Sequence, residues 1–458
     1  MLVIPEAFDQ NNAEQMSALQ CLEQTSMSLF LTGSAGTGKS YFLQHYCEVT
    51  HKKFVKLAPT GLAALNIRGQ TIHSFFRLPL APLTDPNHTS AITRRYRKDK
   101  RELIRQLDLI IIDEISMVRC DLLDAMDRIL RSVRHSRVPF GGVQLLMVGD
   151  PFQLPPVTTA SDQEEMQRAY PESDGFYFFE AHAYATLAPI SIVLRRMYRQ
   201  SDQHFVSALE EIRLGRVSDD TVALLNSRVS PQWQEELLQS DQHAVLLFSH
   251  RANVEAYNQS RCAQLDAKEV TFRGKLKGKI PASALPVPEE FSLKVGTQVM
   301  LVSNHPDGAW VNGTTGVITK LVGGTIGDIT EPYAKVKTPD GETIIVTPHT
   351  WSQVDYDYDE EKGEIVERQT GSYTQLPLIV AYSITVHKAQ GQTCDQIVVD
   401  PSRFFAPGQG YVALSRCRTL EGLTLTQPLK PYNLRTASSV LQFYRKILSE
   451  VRGVEGRS

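Results

Sequence analysis

The chain has 458 residues, 42% hydrophobic and 22% charged, which suits a soluble globular protein of two to four domains. A net charge of −3 excludes a globally basic chain, so any nucleic-acid surface must be a local patch. Six scattered cysteines without a C-x-x-C pair argue against a zinc or disulfide framework and for reduced thiols in the cytoplasm. No apolar run approaches a membrane span, and Met1-Leu-Val-Ile-Pro-Glu6 lacks the basic and apolar regions of a signal peptide, so neither is expected.

In chain order, Asn12 followed by Met16, Ala18, Leu19 and Leu22 predicts a capped amphipathic helix. The apolar run Leu29 to Leu31 predicts a strand that ends in Gly33, Ser34, Ala35, Gly36, Thr37, Gly38, Lys39 and Ser40. This is the full pattern of a phosphate-binding loop: glycines let backbone N–H groups wrap a phosphate, Lys39 reaches the β- and γ-phosphates, and the Ser40 hydroxyl ligates Mg²⁺. Phe54 to Ala58, Leu109 to Ile112 and Val143 to Val148 are further apolar strands separated by helical spacing, which implies a parallel sheet covered on both faces. Pro59-Thr60-Gly61, Asp113-Glu114 and Gly149 to Gln153 each follow a strand directly, so with the loop they can line one crevice at the carboxyl edge of that sheet.

Asp113 and Glu114 supply neighbouring carboxylates. With a phosphate loop upstream, Asp113 suits Mg²⁺ and Glu114 suits deprotonation of an attacking water. Gln153 is a candidate γ-phosphate sensor, with a loop glutamine packed by Pro155 and Pro156 as the plainer role. A second α/β unit begins near Ile190, with buried strands at Ala244 to Phe248 and Gln396 to Val399. In it Arg199 and Arg416 suit charge stabilisation on a transferring phosphoryl group, and spacing alone leaves surface ion pairing open for both. The Gly-, Thr- and Val-rich stretch from Leu293 to Thr374 predicts a small inserted β-barrel, with Asp355 to Glu364 as a solvated acidic loop.

Taken in order, Gly33 to Ser40, Ala58 to Ala64, Thr71 to Phe75, Ile112 to Ile115 and Gly149 to Pro155 resemble motifs of superfamily-one DNA helicases of the 5′-to-3′ branch. So do Tyr198 to Gln200, Thr385 to Gly391 and Gly408 to Arg416. Asp121-Leu-Leu-Asp124 with Pro139 to Gln144 narrows the likeness to the Pif-type (petite integration frequency) family, related to RecD- and Dda-like helicases. The resemblance implies an α/β fold of two RecA-like P-loop NTPase domains with parallel sheets. The first would span 1–189 with a small wedge insertion at about 77–105, and the second 190–292 and 375–435. The β-barrel insertion would occupy 293–374 and a terminal helix and tail 436–458.

The same resemblance implies an ATP- and Mg²⁺-dependent helicase acting on single-stranded DNA and DNA junctions, 5′-to-3′. Forked DNA, DNA–RNA hybrids and G-quadruplexes would be substrates, without a membrane and in the cytoplasm, associated with the nucleoid if the source is bacterial. Gln15 matches an adenine-contacting glutamine, and Arg199 and Arg416 match two arginine fingers. Pro59, Thr60, Thr71, His73, Phe75, Thr385, His387 and Lys388 match segments that line the single-strand track, where hydroxyls, a lysine and aromatic rings suit phosphate contact and base stacking; out of that context His73 and Phe75 read as core residues. A RecD-like motor, an RNA-directed helicase and a nucleotide-switched binding module are the alternatives.

Overall fold

In a computed structural model the described residues are 8, 9, 11–198, 202–235, 244–278, 280–305, 307–327 and 331–455. The chain packs as two units. The first gathers Met1–Arg199, Gln353–Thr370 and Ala437–Ser458, and the second Gln200–Ser352 and Gly371–Thr436.

The first unit is built on a parallel sheet of β1 (Leu29–Gly33), β2 (Phe54–Ala58), β3 (Gln70–Thr71), β4 (Leu109–Ile112), β5 (Gln144–Val148) and β6 (Ile190–Leu194). Their order is β3-β2-β4-β5-β1-β6. Every residue of β1, β4 and β5 is buried, as continuous apolar strands require when helices cover both faces. Helix α1 (Ala13–Gln24) starts where the Asn12 side chain accepts from the Gln15 N–H at 3.1 Å. Its Leu19 and Leu22 pack with Leu29, Leu31, Phe42, Ile111, Leu146 and Val148 in one core.

The expected boundary at 190 is corrected here. Ile190–Leu194 pairs with β1 through five residues and completes the first sheet, so the first unit extends past it. The wedge region holds two helices, Pro86–Arg94 and Lys98–Gln106. Aspartates on the helix Cys120–Arg134 serve as internal braces: Asp124 accepts from the Tyr170 hydroxyl and the Ala183 N–H, and Asp127 from the Phe140 N–H. The terminal helix, Ser438–Glu455, belongs to the first unit, where the Phe443 ring stacks on Phe179 at 4.1 Å. It runs beyond 453, where a tail was expected, and 456–458 lie outside the described residues.

The second unit has its own parallel sheet, in the order Ser383–Thr385, β7 (Val245–Phe248), Ile397–Val399, Leu423–Leu425. The β-rich insertion exceeds 293–374 at both ends. Strands run from Val270–Arg273 to Leu378–Val380, and Phe272 and Leu378 share a core with Val299, Ile318 and Val336. The acidic stretch is corrected in part: Asp355 to Asp359 and Glu364 lie in the strands of a long hairpin, His349–Asp359 and Glu364–Gln375, while Glu360 to Gly363 form its turn, with Glu360 and Glu361 exposed. Gln353–Thr370 packs in the first unit. There the Tyr356 hydroxyl accepts from the Lys56 N–H at 3.0 Å, Asp355 accepts from the Gln70 amide at 2.7 Å, and Lys56 pairs with Glu367. Among the described residues no helix is long and apolar enough to cross a membrane.

Candidate nucleotide site and nucleic-acid track

The loop after β1 closes on itself. Lys39 Nζ donates to the carbonyls of Gly33 and Ser34 at 2.9 and 3.0 Å, and the Thr37 hydroxyl donates to Ser34 O at 2.9 Å. Gly38 sits at φ +85°, and a Cβ there would stand 3.5 Å from both the Gln15 amide nitrogen and the Tyr198 ring. The left-handed turn is what calls for glycine here, since a Cβ would make only ordinary contact with both side chains. Helix α2 (Lys39–Val49) follows, with Ser40 exposed in its first turn, and Gly36 O accepts from the Tyr198 N–H at 3.0 Å.

Asp113 and Glu114 leave the end of β4. Asp113 N–H donates to Leu57 O on β2, and Glu114 N–H donates to the Asp113 carboxylate at 2.9 Å. Burial and then the Glu114 charge push the Asp113 carboxyl well above the usual range, while its own bond from Glu114 N–H and the Lys39 ammonium pull it back. Glu114 holds φ 50°, ψ 44°, a left-handed backbone costing a non-glycine residue about 1–2 kcal/mol. Such strain at a carboxylate beside a phosphate loop is the pattern of a functional site. The next loop, after β5, closes on this turn: a Cβ on Gly149 would press on Ile115 at 3.0 Å. Beyond it Gln153 is nearly buried and its N–H donates to Asp150 O.

The donor set fits Mg²⁺: an exposed hydroxyl in a helix's first turn and one carboxylate whose anion is disfavoured until a cation approaches. Among the described residues no group of three or more His, Cys, Asp or Glu could hold a metal ion.

Gln15 is 1% exposed, and its Oε1 has no hydrogen-bond partner. A buried amide oxygen without a partner costs about 1–3 kcal/mol unless a ligand satisfies it. The surrounding network was not anticipated from sequence. The Tyr198 hydroxyl donates to Asp9 at 2.9 Å and accepts from Asn12 at 3.2 Å, which fixes the ring against Gly38. Its position one residue before the expected arginine finger was the available signal.

The expected track residues divide between the units. In the first, Thr60 and Thr71 cap short helices, their hydroxyl oxygens accepting from Ala63 N–H and Ser74 N–H. Each hydroxyl keeps its own proton to donate. Pro59 and His73 are half-buried, and burial followed by the Arg119 charge holds the His73 imidazole below its ordinary value. Phe75 corrects the expectation of base stacking. The helix Ile72–Phe76 turns it into the core at 1% exposure, edge-on to Tyr356, with Lys100 Nζ 3.3 Å from the ring centre.

In the second unit Thr385 caps Val386–Ala389 through Lys388 N–H at 3.1 Å, and His387 and Lys388 are exposed. Arg416 is buried, its guanidinium donating to Val412 O, Gln392 O, Ala389 O and the Ser415 hydroxyl. In this state it braces the segment that follows Lys388. Arg199 lies outside the described residues.

A family model described as PIF1-like helicase matches residues 9–223. The ATP-dependent DNA helicase Pif1 of Bdellovibrio bacteriovorus is 33% identical over 441 residues, covering 94% of this chain and 91% of that protein. Bacteroides sp Pif1 in complex with ADP-AlF4 superposes with a TM-score of 0.86 at 36% identity, over 96% of this chain and 97% of that one. Bacteroides Pif1 bound to ssDNA gives 0.64 at 35% identity over 96% and 97%.

Proposed function

We propose that this chain, which belongs to the Pif1 helicase family and is an ATP-dependent DNA helicase, moves 5′-to-3′ along single-stranded DNA. It opens forked duplexes, DNA–RNA hybrids and G-quadruplexes during replication, repair or recombination, in the cytoplasm. One observation carries the reading: four strand-end turns of a single sheet bring a phosphate loop, a carboxylate pair and a glutamine to one edge, with threonine caps at its far end.

The roles follow from the chemistry of each group. N–H groups of Gly33 to Ser40 and the Lys39 ammonium hold the β- and γ-phosphates, exchanging the loop carbonyls for phosphate oxygens. Glu114 takes the proton of the attacking water, and Gln153 senses the γ-phosphate. Ser40 and Asp113 hold Mg²⁺, which neutralises phosphate charge when bound. The Gln15 amide reads adenine, its unpartnered oxygen accepting from the exocyclic amine. Arg199 and Arg416 supply guanidinium groups to the transferring phosphoryl, Arg416 after exchanging its carbonyl partners. Pro59, Thr60, Thr71, His73, Thr385, His387 and Lys388 hold the strand by its backbone, without reading sequence.

Unwinding of otherwise identical duplexes bearing a 5′ or a 3′ single-stranded tail tests the polarity. The 5′-tailed substrate is expected to be opened and the 3′-tailed one left paired. Equal opening of both, or preference for the 3′ tail, overturns the reading.

A further inference from the structure

In the second unit's barrel the strands Gln298–Leu301 and Thr315–Val322 run antiparallel, and the connection between them spans 302–314. Trp310 plugs this connection into the barrel core beside Leu301 and Ile318, and its carbonyl accepts from the His305 N–H at 3.0 Å. Asn312 N–H donates to Asn304 Oδ1 at 2.7 Å, Val311 N–H to the Thr314 hydroxyl at 3.2 Å, and Gly313 N–H to Leu301 O at 2.9 Å. A connection fastened at so many points offers its tip, Asn312-Gly313, as a fixed surface.

That tip rests on the segment 389–393. Asn312 Oδ1 accepts from the Gln392 side-chain amide at 3.3 Å, and a Cβ on Gly313, at φ +100°, would press on Thr393 O at 3.0 Å. Gln392 is 7% exposed and its Oε1 has no hydrogen-bond partner, so among the described residues Asn312 is the polar fastener of that side chain. The main chain of the same residue reaches further. Gln392 O accepts from the Arg416 guanidinium at 3.2 Å, with Ala389 O beside it at 3.4 Å. Cys394 N–H donates to Arg416 O at 2.9 Å and ties the two segments together. Asn312 thus fixes Gln392, and Gln392 fixes Arg416.

We propose that Asn312 is a positioning residue for ATP hydrolysis: by pinning Gln392, the inserted barrel keeps Arg416 in its withdrawn setting and restrains turnover in the DNA-free protein. The proposal rests on the reading of Arg416 as a group that stabilises the transferring phosphoryl. A buried guanidinium must give up its carbonyl partners before it can meet a phosphate, and a carbonyl already held in place is the stronger partner to leave. With DNA bound and the arginine engaged, the hold no longer counts.

The test measures steady-state ATP hydrolysis by the full chain, without DNA and with saturating oligothymidylate. Asn312→Ala is expected to raise the DNA-free rate about 3- to 10-fold, the scale of one net hydrogen bond. The saturated rate and the affinity for oligothymidylate stay parental, so the ratio of the two rates shrinks by the same factor. Asn312→Asp keeps an acceptor for the Gln392 amide and restores the parental ratio. Gln392→Ala removes the donor and should match Asn312→Ala. The double variant should do no more than either single change, because both break one contact.

A loop that served folding alone would lower the melting temperature and reduce both rates together, and that result overturns the proposal. So does additivity in the double variant, or a parental ratio in both Asn312→Ala and Gln392→Ala. Arg416→Lys, which keeps a buried cation but loses the planar fork, tests the reading beneath: turnover at saturating DNA should fall by about 100-fold or more. Parental turnover in Arg416→Lys overturns the arginine's role and the proposal with it. Lost turnover there, joined to unchanged ratios in the Asn312 and Gln392 variants, overturns the positioning alone.

Discussion

At the carboxyl edge of the first unit's sheet, Thr37, Gln15, Asp150 and Gln153 are 0, 1, 1 and 8% exposed; at the same edge of the second unit's sheet, His387 and Lys388 face solvent. Both edges collect polar side chains where parallel strands end, as open α/β sheets do. What differs is the ligand each can serve. A nucleotide is small, and each of its polar atoms must find a partner, so groups that recognise it gain strength by being withdrawn from water. A strand that slides must be released at every step, so contacts to it remain hydrated, numerous and individually weak. On the proposed reading, these nucleotide contacts are the more buried and these strand contacts the more exposed; Ser40, exposed, is an exception among the first, and Arg416 is buried although it lies in the second unit.

The largest expected effect strikes the enclosed edge. Glu114→Gln keeps the shape of the turn and removes its base, so DNA-stimulated ATP hydrolysis should fall by about 10²- to 10⁴-fold while single-strand affinity persists. Steady-state turnover within threefold of the parent would show that another group activates the water. Next comes Gln15→Ala, which removes the orphaned amide. Discrimination between ATP and GTP, measured as a ratio of dissociation constants, should shrink by about tenfold. An unaltered ratio would mean that the buried oxygen serves packing alone.

The smallest effect concerns the buried contact at Phe75. Burial pushes the Lys100 ammonium above its ring down to about 7, Asp355 and Asp357 opposing that shift and Arg77 adding to it. The folded value lies below the ordinary lysine value of about 10.4, so between pH 7 and 10 the unfolded chain binds more protons. This site therefore makes stability rise with pH across that window. Lys100→Met should flatten the rise, read as the difference between urea midpoints at pH 7 and pH 9. An equal slope in both proteins would place the lysine in contact with water.

Much of the first sheet was readable because its signals are local. The loop from Gly33 to Ser40 is a backbone geometry written in glycines, and β1, β2, β4 and β5 are apolar runs ended by turn residues. The threonines were read as phosphate contacts, and the structure adds that Thr60, Thr71 and Thr385 each cap a short helix with the same oxygen. Readings failed where the partner lies far along the chain. Tyr356 bonds to Lys56, and the strands on either side of the acidic turn pack in the first unit. Phe75 taken alone reads as a core residue, and its stacking role came from the resemblance only; in the structure Lys100 and Tyr356 cover it. Ile190–Leu194 was misassigned because β1, its pairing partner, precedes it by most of a domain.

The terminal helix carries a consequence for biosynthesis. Phe30, inside the strand that leads into the phosphate loop, packs against Phe178 and Phe443, and Tyr444 closes edge-on over Phe152 in the loop after β5. Phe443 leaves the ribosome about 400 residues after Phe30, roughly 20 to 80 seconds at ordinary elongation rates. During that interval the nascent first unit exposes an aromatic cleft directly behind its phosphate loop. Ribosome-bound chains stopped before Ser438 should therefore recruit hydrophobic-binding chaperones, and nucleotide affinity should mature only once the helix has docked.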